Sequence, residues 1–176
     1  MAFNPQQSQQ RGNRQFGPQI PSEFAEDIVQ INRVSKKTKG GNKIGFAVLA
    51  VVGNKKGKVG VGHGKAADVA ASIRKAVASA KRQFIEVPIV NGTIPFGVRV
   101  KRGAAKIMLK PAPKGSGVIA GGAVRSVVAA AGIENISSKV LGTNNKASNV
   151  YATIEALKQI AAMQNKFSSQ KKEKKG

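Results

Sequence analysis

The segment VVGNKKGKVGVGHGKA, residues 51–66, places five glycines and four lysines behind a short apolar run. Glycine-rich loops of this kind expose backbone amides and let lysine side chains come close to a phosphate. The chemistry that this segment suggests is therefore phosphate binding. The phosphate could belong to a nucleotide cofactor or to the backbone of a nucleic acid.

The segment does not match the common nucleotide-binding motifs. A Walker loop ending at Gly64 and Lys65 requires a glycine at position 59 and a hydroxyl residue at position 66, and the chain has Val59 and Ala66 there. The dinucleotide fingerprint starting at Gly60 requires a third glycine where Lys65 stands. Residues 51–66 thus favour a nucleic-acid backbone.

A second glycine-rich segment, KPAPKGSGVIAGGAV, matches the dinucleotide pattern better. Gly115, Gly117 and Ala120 fit G-x-G-x-x-A, and Glu134 follows at a distance suited to a ribose contact. The two prolines of KPAP separate the motif from the strand before it, whereas the fingerprint needs the turn directly after a strand. Glycines that permit a tight chain crossing before a helix are the favoured interpretation. A small nucleotide-binding enzyme using GSGVIAGG stays as the alternative.

Other chemistry has few residues to support it. The chain has no cysteine and one histidine, His63, for which a packed or phosphate-facing role is expected over that of a general base. The clustered carboxylates Glu23, Glu26 and Asp27 are expected to be solvated or to cap a turn. We therefore predict no catalytic site, no metal site and no cofactor.

The charge of the chain points to a polyanionic partner. Thirty Lys and Arg residues oppose eight Asp and Glu residues, a formal net charge of +22. Between Ile28 and Lys114 there are nineteen basic residues and only two acidic ones. An ordinary solvated surface mixes both signs, so this asymmetry favours nucleic-acid binding.

The arrangement of lysines and aromatic residues favours folded RNA. Lys36, Lys37, Lys39 and Lys43 surround a glycine-rich loop, and residues 55–58 form a second basic turn. The aromatic residues do not repeat along a strand as a base-stacking platform, and no DNA-reading motif is present. We expect recognition of RNA through its shape and backbone.

The elements that must position these loops form two small α+β units. In the first, two strands flank the turn NKKG, and glycines at alternate positions 60, 62 and 64 indicate close approach of a packed helix. That helix lies within residues 66–84, and its predicted buried stripe consists of Val69, Ile73, Val77, Ala80 and Phe84.

The second unit contains paired strands, a helix ended by Gly132, a further strand, and a last helix from about Asn149 with Ser148 or Asn149 as its cap. We predict a disordered N-terminal extension over 1–21, domains over 22–90 and 91–165, and a basic disordered tail over 166–176. No apolar segment approaches the ~20 residues of a membrane span, and the N-terminal residues lack the core of a secretion signal, so a cytoplasmic location without membrane contact is expected.

Two long segments carry a resemblance to a known family. They run from INRVSKKTKGGNK through VGVGHGKA to NGTIP, and from GSGVIAGG to ATIEAL. With the patterns V-G-x-G-x-G-K-A and I-A-G-G they closely resemble the small-subunit ribosomal protein number five family. The resemblance covers about Phe24 to Leu157. Asn42 stands where that family usually has arginine, and Ala70 replaces a customary proline.

The resemblance implies a fold and partners. The first domain is similar to a double-stranded-RNA-binding domain, and the second to an α/β sandwich with a left-handed βαβ crossover. The implied function is that of a structural constituent of the small ribosomal subunit that supports translational fidelity and messenger entry. The implied partners are 16S-type ribosomal RNA, messenger RNA near the entry channel, and the small-subunit proteins numbered four and eight.

The charge pattern and the resemblance together give two sets of site residues. The predicted RNA-binding residues are Arg33, Ser35, Lys36, Lys37, Thr38, Lys39, Gly40, Gly41, Asn42, Lys43, Lys55, Lys56, Lys58, His63 and Lys65. The predicted protein-partner surface, implied by the resemblance alone, consists of Gly115, Gly117, Gly121, Gly122 and Arg125.

Overall fold

The computed structural model describes residues 24–173, with side chains described through residue 167. The elements follow in this order: β1 (Ala25–Thr38), β2 (Gly41–Gly53), β3 (Lys58–Ala66), α1 (Val69–Lys81), β4 (Ile85–Glu86), β5 (Val98–Arg102), β6 (Ala105–Pro111), β7 (Val118–Ile119), α2 (Gly122–Ala131), β8 (Ile136–Val140) and α3 (Lys146–Glu173). None of the helices in this described part is long and apolar enough to cross a membrane.

The first sheet has the order β1-β2-β3-β4, with antiparallel neighbours throughout. Its central strand β2 is buried on both faces from Ala47 to Gly53, which explains most of the nearly continuous apolar run IGFAVLAVV. Val48, Ala50 and Val52 point to α1, while Leu49 and Val51 join the core shared with the second half of the chain. The first sheet is therefore covered on one face by α1 and on the other by the second unit.

The alternating glycines of β3 let α1 lie directly on the sheet. A Cβ atom on Gly60, Gly62 or Gly64 would collide with the backbone carbonyls of Ala80, Ala76 and Ser72, respectively. The predicted close approach of a helix is thus confirmed.

The predicted buried stripe of α1 is partly wrong. The buried residues of the helix are Ser72, Ala76, Val77 and Ala80. Of the predicted stripe, Val69 and Ile73 are only half-buried, and Phe84 is half-buried and lies beyond the end of the helix. Because the glycines of β3 have no side chains, the helix sits close to the sheet and presents its smallest residues to it.

The second sheet has the order β5-β6-β8-β7. The strands β5, β6 and β8 are antiparallel neighbours, and β7 pairs with β8 in parallel, with α2 connecting the two. α2 ends at Gly132, which adopts the left-handed conformation (φ 86°). The α+β class with two domains is confirmed, and the handedness of the β7-α2-β8 crossover stays a prediction.

The two units share one core and several backbone hydrogen bonds. The amides of Lys55 and Gly57, in the β2–β3 turn, donate to the carbonyls of Ala130 (3.1 Å) and Ala131 (2.8 Å) at the end of α2. The core cluster that contains Leu49 and Val51 also contains Val124, Val127 and Leu157 of the second unit. The turn NKKG thus connects the two units through backbone hydrogen bonds.

Several boundaries differ from the sequence-based expectation. β1 already begins at Ala25, so Glu26 and Asp27 lie exposed in a strand and do not cap a turn. α3 begins at Lys146. Its cap is Asn145, whose side-chain oxygen accepts hydrogen bonds from the amides of Ala147 and Ser148, and not the expected Ser148 or Asn149.

The structure describes only one of the two terminal segments that the sequence predicts to be disordered. Residues 1–21 lie outside the described residues. Residues 166–173 belong to α3, although the sequence predicts an unstructured tail there; the segment contains no glycine or proline that would end the helix. The domain division at residues 90 and 91 stays a prediction.

Candidate nucleic-acid interface

The distal part of the β1–β2 hairpin is exposed on both faces. The strands pair from Ala25 with Gly53 out to Thr38 with Gly41, and most side chains beyond Arg33 lie on the surface. At the tip, Gly41 has a φ of 124°, a conformation that favours glycine, and the Thr38 hydroxyl donates to the Gly41 carbonyl (2.9 Å). A closed turn therefore presents Lys39 and Gly40 at its outermost point.

The predicted RNA-binding residues of the hairpin divide between its two faces. The residues that share the face of Leu49 and Val51 are Lys36, Lys43, His63 and Lys65, and those on the face toward α1 are Arg33, Ser35, Lys37 and Asn42. His63 lies within β3 and its side chain is exposed, so it does not have the packed role that was one of the two expectations. Both faces of the hairpin thus carry basic side chains.

Three of these lysines line one cleft. Lys36, Lys43 and Lys65 surround a cleft of about 280 Å³ whose walls also include Val34 and Ile44. The cleft lies where the base of the hairpin meets the end of β3. It combines an apolar floor with three long cationic side chains, an arrangement that can hold a phosphate while the sugar contacts the floor.

The charges in this cleft are unbalanced. Lys36 and Lys43 are direct cross-strand partners, and like charges in this position repel each other. Within residues 24–167 the two ion pairs join Lys58 to Glu86 and Lys81 to Glu26, so neither involves the cleft lysines. An anion bound between the hairpin lysines would relieve the repulsion.

The β2–β3 turn lies at the opposite end of the sheet. The Asn54 side chain accepts from the amides of Lys56 (2.8 Å) and Lys58 (2.9 Å), and Lys55 has a positive φ of 55°. β2 has 13 residues. At ~3.3 Å per residue, its length separates this turn from the hairpin tip by about 40 Å.

The turn lysines therefore form a separate basic site. Lys55 and Lys56 line a cavity of about 840 Å³ together with Lys114 and Glu134 of the second unit. Lys58 pairs with Glu86 (3.1 Å) while both side chains stay largely exposed. The structure thus does not bring residues 55–58 together with the hairpin lysines.

The glycine-rich loop of the second unit is held by a buried side chain. The amides of Gly115 (2.9 Å) and Gly117 (3.1 Å) both donate to the Asn135 Oδ1 atom, and Asn135 is 3% exposed. β7 follows these glycines instead of preceding them. Amides that are already occupied, in a loop after which the strand begins, do not form a dinucleotide site.

The remaining residues of the predicted partner surface lie beside this loop. Gly121 is the N-cap of α2 and Gly122 its first residue, both exposed, and the Arg125 guanidinium donates to the Val118 carbonyl (3.3 Å). Ile119, in β7 just before these residues, is 58% exposed. Asn135 was missed by the sequence analysis, and its only sequence signal is a polar residue within the apolar run GIENI.

Comparison with known proteins gives a separate family match for each of the two units. Residues 24–88 match the family model described as "Ribosomal protein S5, N-terminal domain", and residues 100–170 match "Ribosomal protein S5, C-terminal domain". The chain is 54% identical over 138 residues to the small ribosomal subunit protein uS5 of Thermotoga neapolitana, and 53% identical to that of Thermotoga maritima. Each alignment covers 78% of this chain and 78% of the relative.

Proposed function

The chain belongs to the ribosomal protein S5 family, and from this premise we propose that it is a structural constituent of the small ribosomal subunit that binds 16S-type ribosomal RNA in the cytoplasm. The family is one of ribosomal proteins and not of enzymes. The nucleotide-binding alternative is therefore not retained, in agreement with the occupied amides of Gly115 and Gly117.

The observation that carries the RNA-binding proposal is the charge of the hairpin. Lys36, Lys43 and Lys65 converge on one cleft, and none of them has a carboxylate partner among the described residues. A folded protein gains little from such a cluster, whereas a phosphate backbone neutralises it and releases its own counterions. The exposed tip around Lys39 and Gly40 extends the same surface.

We assign the contacts to RNA as follows. The hairpin from Arg33 to Lys43, together with His63 and Lys65, forms the main contact, and residues 55–58 form a second contact at the other end of the sheet. Asn42 provides an amide in place of the family's usual guanidinium, so its contact is a neutral hydrogen bond. The division into domains at 22–90 and 91–165 places both contacts in the first domain.

The finer roles concern messenger RNA and neighbouring proteins. We infer a role in translational fidelity and in messenger entry, with the surface from Gly115 to Arg125 facing the small-subunit proteins numbered four and eight. The exposed Ile119 on this surface supports a protein partner, since an apolar side chain contributes most when a partner covers it. Reconstituted subunits carrying Ile119→Lys should lose the contact with these proteins, and miscoding rates measured in the same subunits test the role in fidelity.

The RNA-binding proposal is tested by charge removal in the hairpin. Lys36→Gln with Lys43→Gln should weaken binding to a transcript of the small-subunit ribosomal RNA and lower the slope of log affinity against log salt by about 2, since each lost phosphate contact removes about one unit. The control is Lys75→Gln with Lys158→Gln, which removes the same charge from exposed helix positions. If the hairpin variant and the control variant give the same slope of log affinity against log salt, the proposal is refuted.

A further inference from the structure

The outer face of the second sheet carries five cations in a regular grid. Arg99 and Lys101 project from β5, Lys106 and Lys110 from β6, and Lys139 from β8, and all five are exposed. Their neighbours in the strands, among them Val100, Ile107 and Leu109, are buried in the core beneath. We call these five residues the outer cationic face.

The register places these cations next to one another. Lys101 is the direct cross-strand partner of Lys106, and Met108 lies between Arg99 on one side and Lys139 on the other. Direct partners on one face are about 5 Å apart, and alternate residues along a strand about 7 Å. Each of the five cations thus lies close enough to another that one extended polyanion can contact both.

Nothing within the described residues neutralises this face. The strands VRVKR, AKIMLKP and ISSKV contain no acidic residue, and both ion pairs of the described part involve the first unit. Among the described residues, the hydrogen-bond partner of the Arg99 guanidinium is a thioether, the Met108 Sδ atom at 3.6 Å. Opposed lysines such as Lys101 and Lys106 destabilise a sheet pair, which is a cost without benefit unless an anion lies between them.

The composition of the face distinguishes between two kinds of partner. Four of its five cations are lysines, which are depleted at protein–protein interfaces. The apolar side chain between these cations is Met108, which is half-buried, and the three strands contain no aromatic side chain that could anchor a protein or stack on a base. Flexible ammonium groups on a flat sheet suit phosphates instead.

We propose that the outer cationic face is a second RNA-binding surface, which contacts the sugar–phosphate backbone of folded ribosomal RNA. The proposal rests on the proposed function, in which the hairpin of the first unit also binds RNA. The two surfaces lie on different sheets, so they contact different segments of the RNA. The second unit then binds RNA directly and does not serve only as a support for the first.

The test compares three double variants of the full chain with the unchanged protein. The face variant is Lys101→Gln with Lys106→Gln, the hairpin variant is Lys36→Gln with Lys43→Gln, and the control is Lys75→Gln with Lys158→Gln. Affinity for a transcript of the small-subunit ribosomal RNA is measured across a series of KCl concentrations, with hydroxyl-radical footprinting of each complex. Thermal unfolding of the free proteins shows whether each variant folds.

The proposal expects a slope about 2 units shallower for the face variant than for the control, and loss of protection at nucleotides that the hairpin variant still protects. The Tm of the free face variant should equal or exceed that of the unchanged protein, because the repulsion between Lys101 and Lys106 is removed. A fold-related loss of affinity would instead lower the Tm and erase both footprints.

Three results would overturn the proposal. If the face variant matches the control while the hairpin variant loses affinity, the second surface does not bind RNA although the proposed function stands. If both variants match the control, the proposed function fails as well. If the face variant keeps its RNA affinity and footprint but no longer binds purified small-subunit proteins, the partner is an acidic protein surface.

Discussion

The contact between β3 and α1 gives a sharp prediction for Gly62→Ala. A Cβ atom at position 62 would overlap the Ala76 carbonyl and the Ala80 amide and lie 3.0 Å from the Ala80 Cα atom. All three atoms belong to the helix backbone, so no side-chain rotation can make room. The helix must move away from the sheet, and it then loses contact with Val48 and Ala50 as well.

The magnitude follows from the kind of overlap. Extra methylene groups in a packed core cost about 1–3 kcal/mol, and overlap with helix-backbone atoms that cannot rotate away places this substitution at about 3 kcal/mol or more. In a chain of this length each kcal/mol lowers the Tm by about 2–4 °C, so we expect a decrease of about 6–12 °C. Thermal unfolding followed by circular dichroism measures this shift.

The control for this experiment is Gly40→Ala at the hairpin tip. No described atom lies within 4 Å of a Cβ at position 40, and Gly40 does not have a positive φ. Its Tm should stay within about 2 °C of the unchanged protein, since exposed substitutions change stability by about 0.5 kcal/mol or less. A Tm for Gly62→Ala that is as high as that of Gly40→Ala would refute the claim that β3 and α1 are in backbone contact.

Two further substitutions probe single hydrogen bonds. Asp68→Ala removes the carboxylate that accepts from the Ala71 amide (3.3 Å) at the start of α1, which should cost about 1 kcal/mol in urea unfolding; Asp68→Asn, which keeps an acceptor, should retain most of the stability, and equal losses would contradict a capping role. Asn135→Ala removes the acceptor shared by the Gly115 and Gly117 amides, at a cost of about 1–3 kcal/mol. Hydrogen exchange at these two amides should accelerate at the same time, and unchanged exchange would show that another acceptor holds the loop.

Some contacts of the fold could be predicted because they depend on neighbours in sequence. The alternating glycines of β3 indicate a helix on that face, and the nearly continuous apolar run of β2 indicates a strand whose second half is buried on both sides. The buried stripe of α1 could not be predicted in the same way. Helical periodicity favours large apolar residues, whereas the glycines opposite the helix select Ser72 and Ala76.

The candidate site shows the same contrast. The sequence identifies the basic loops, because charge and glycine content are visible without a fold. It does not show that Lys65 joins Lys36 and Lys43 while Lys55 and Lys56 lie at the far end of β2. Asn135 was not found because its role depends on two amides about twenty residues earlier in the chain. The cations of the outer face are also spread over three strands, and only the register brings them together.

The shared core has a consequence for synthesis on the ribosome. All strands of the first sheet have been synthesised once Glu86 has been added to the chain. The apolar residues on its inner face, Leu49, Val51, Val59 and Val61, become buried only after α2 and α3 have been synthesised. A nascent chain that has emerged only to this point exposes a row of apolar strand residues, which are prone to pair with other chains. Productive folding is therefore a late event in translation, and a fragment ending near residue 90 should precipitate when expressed alone.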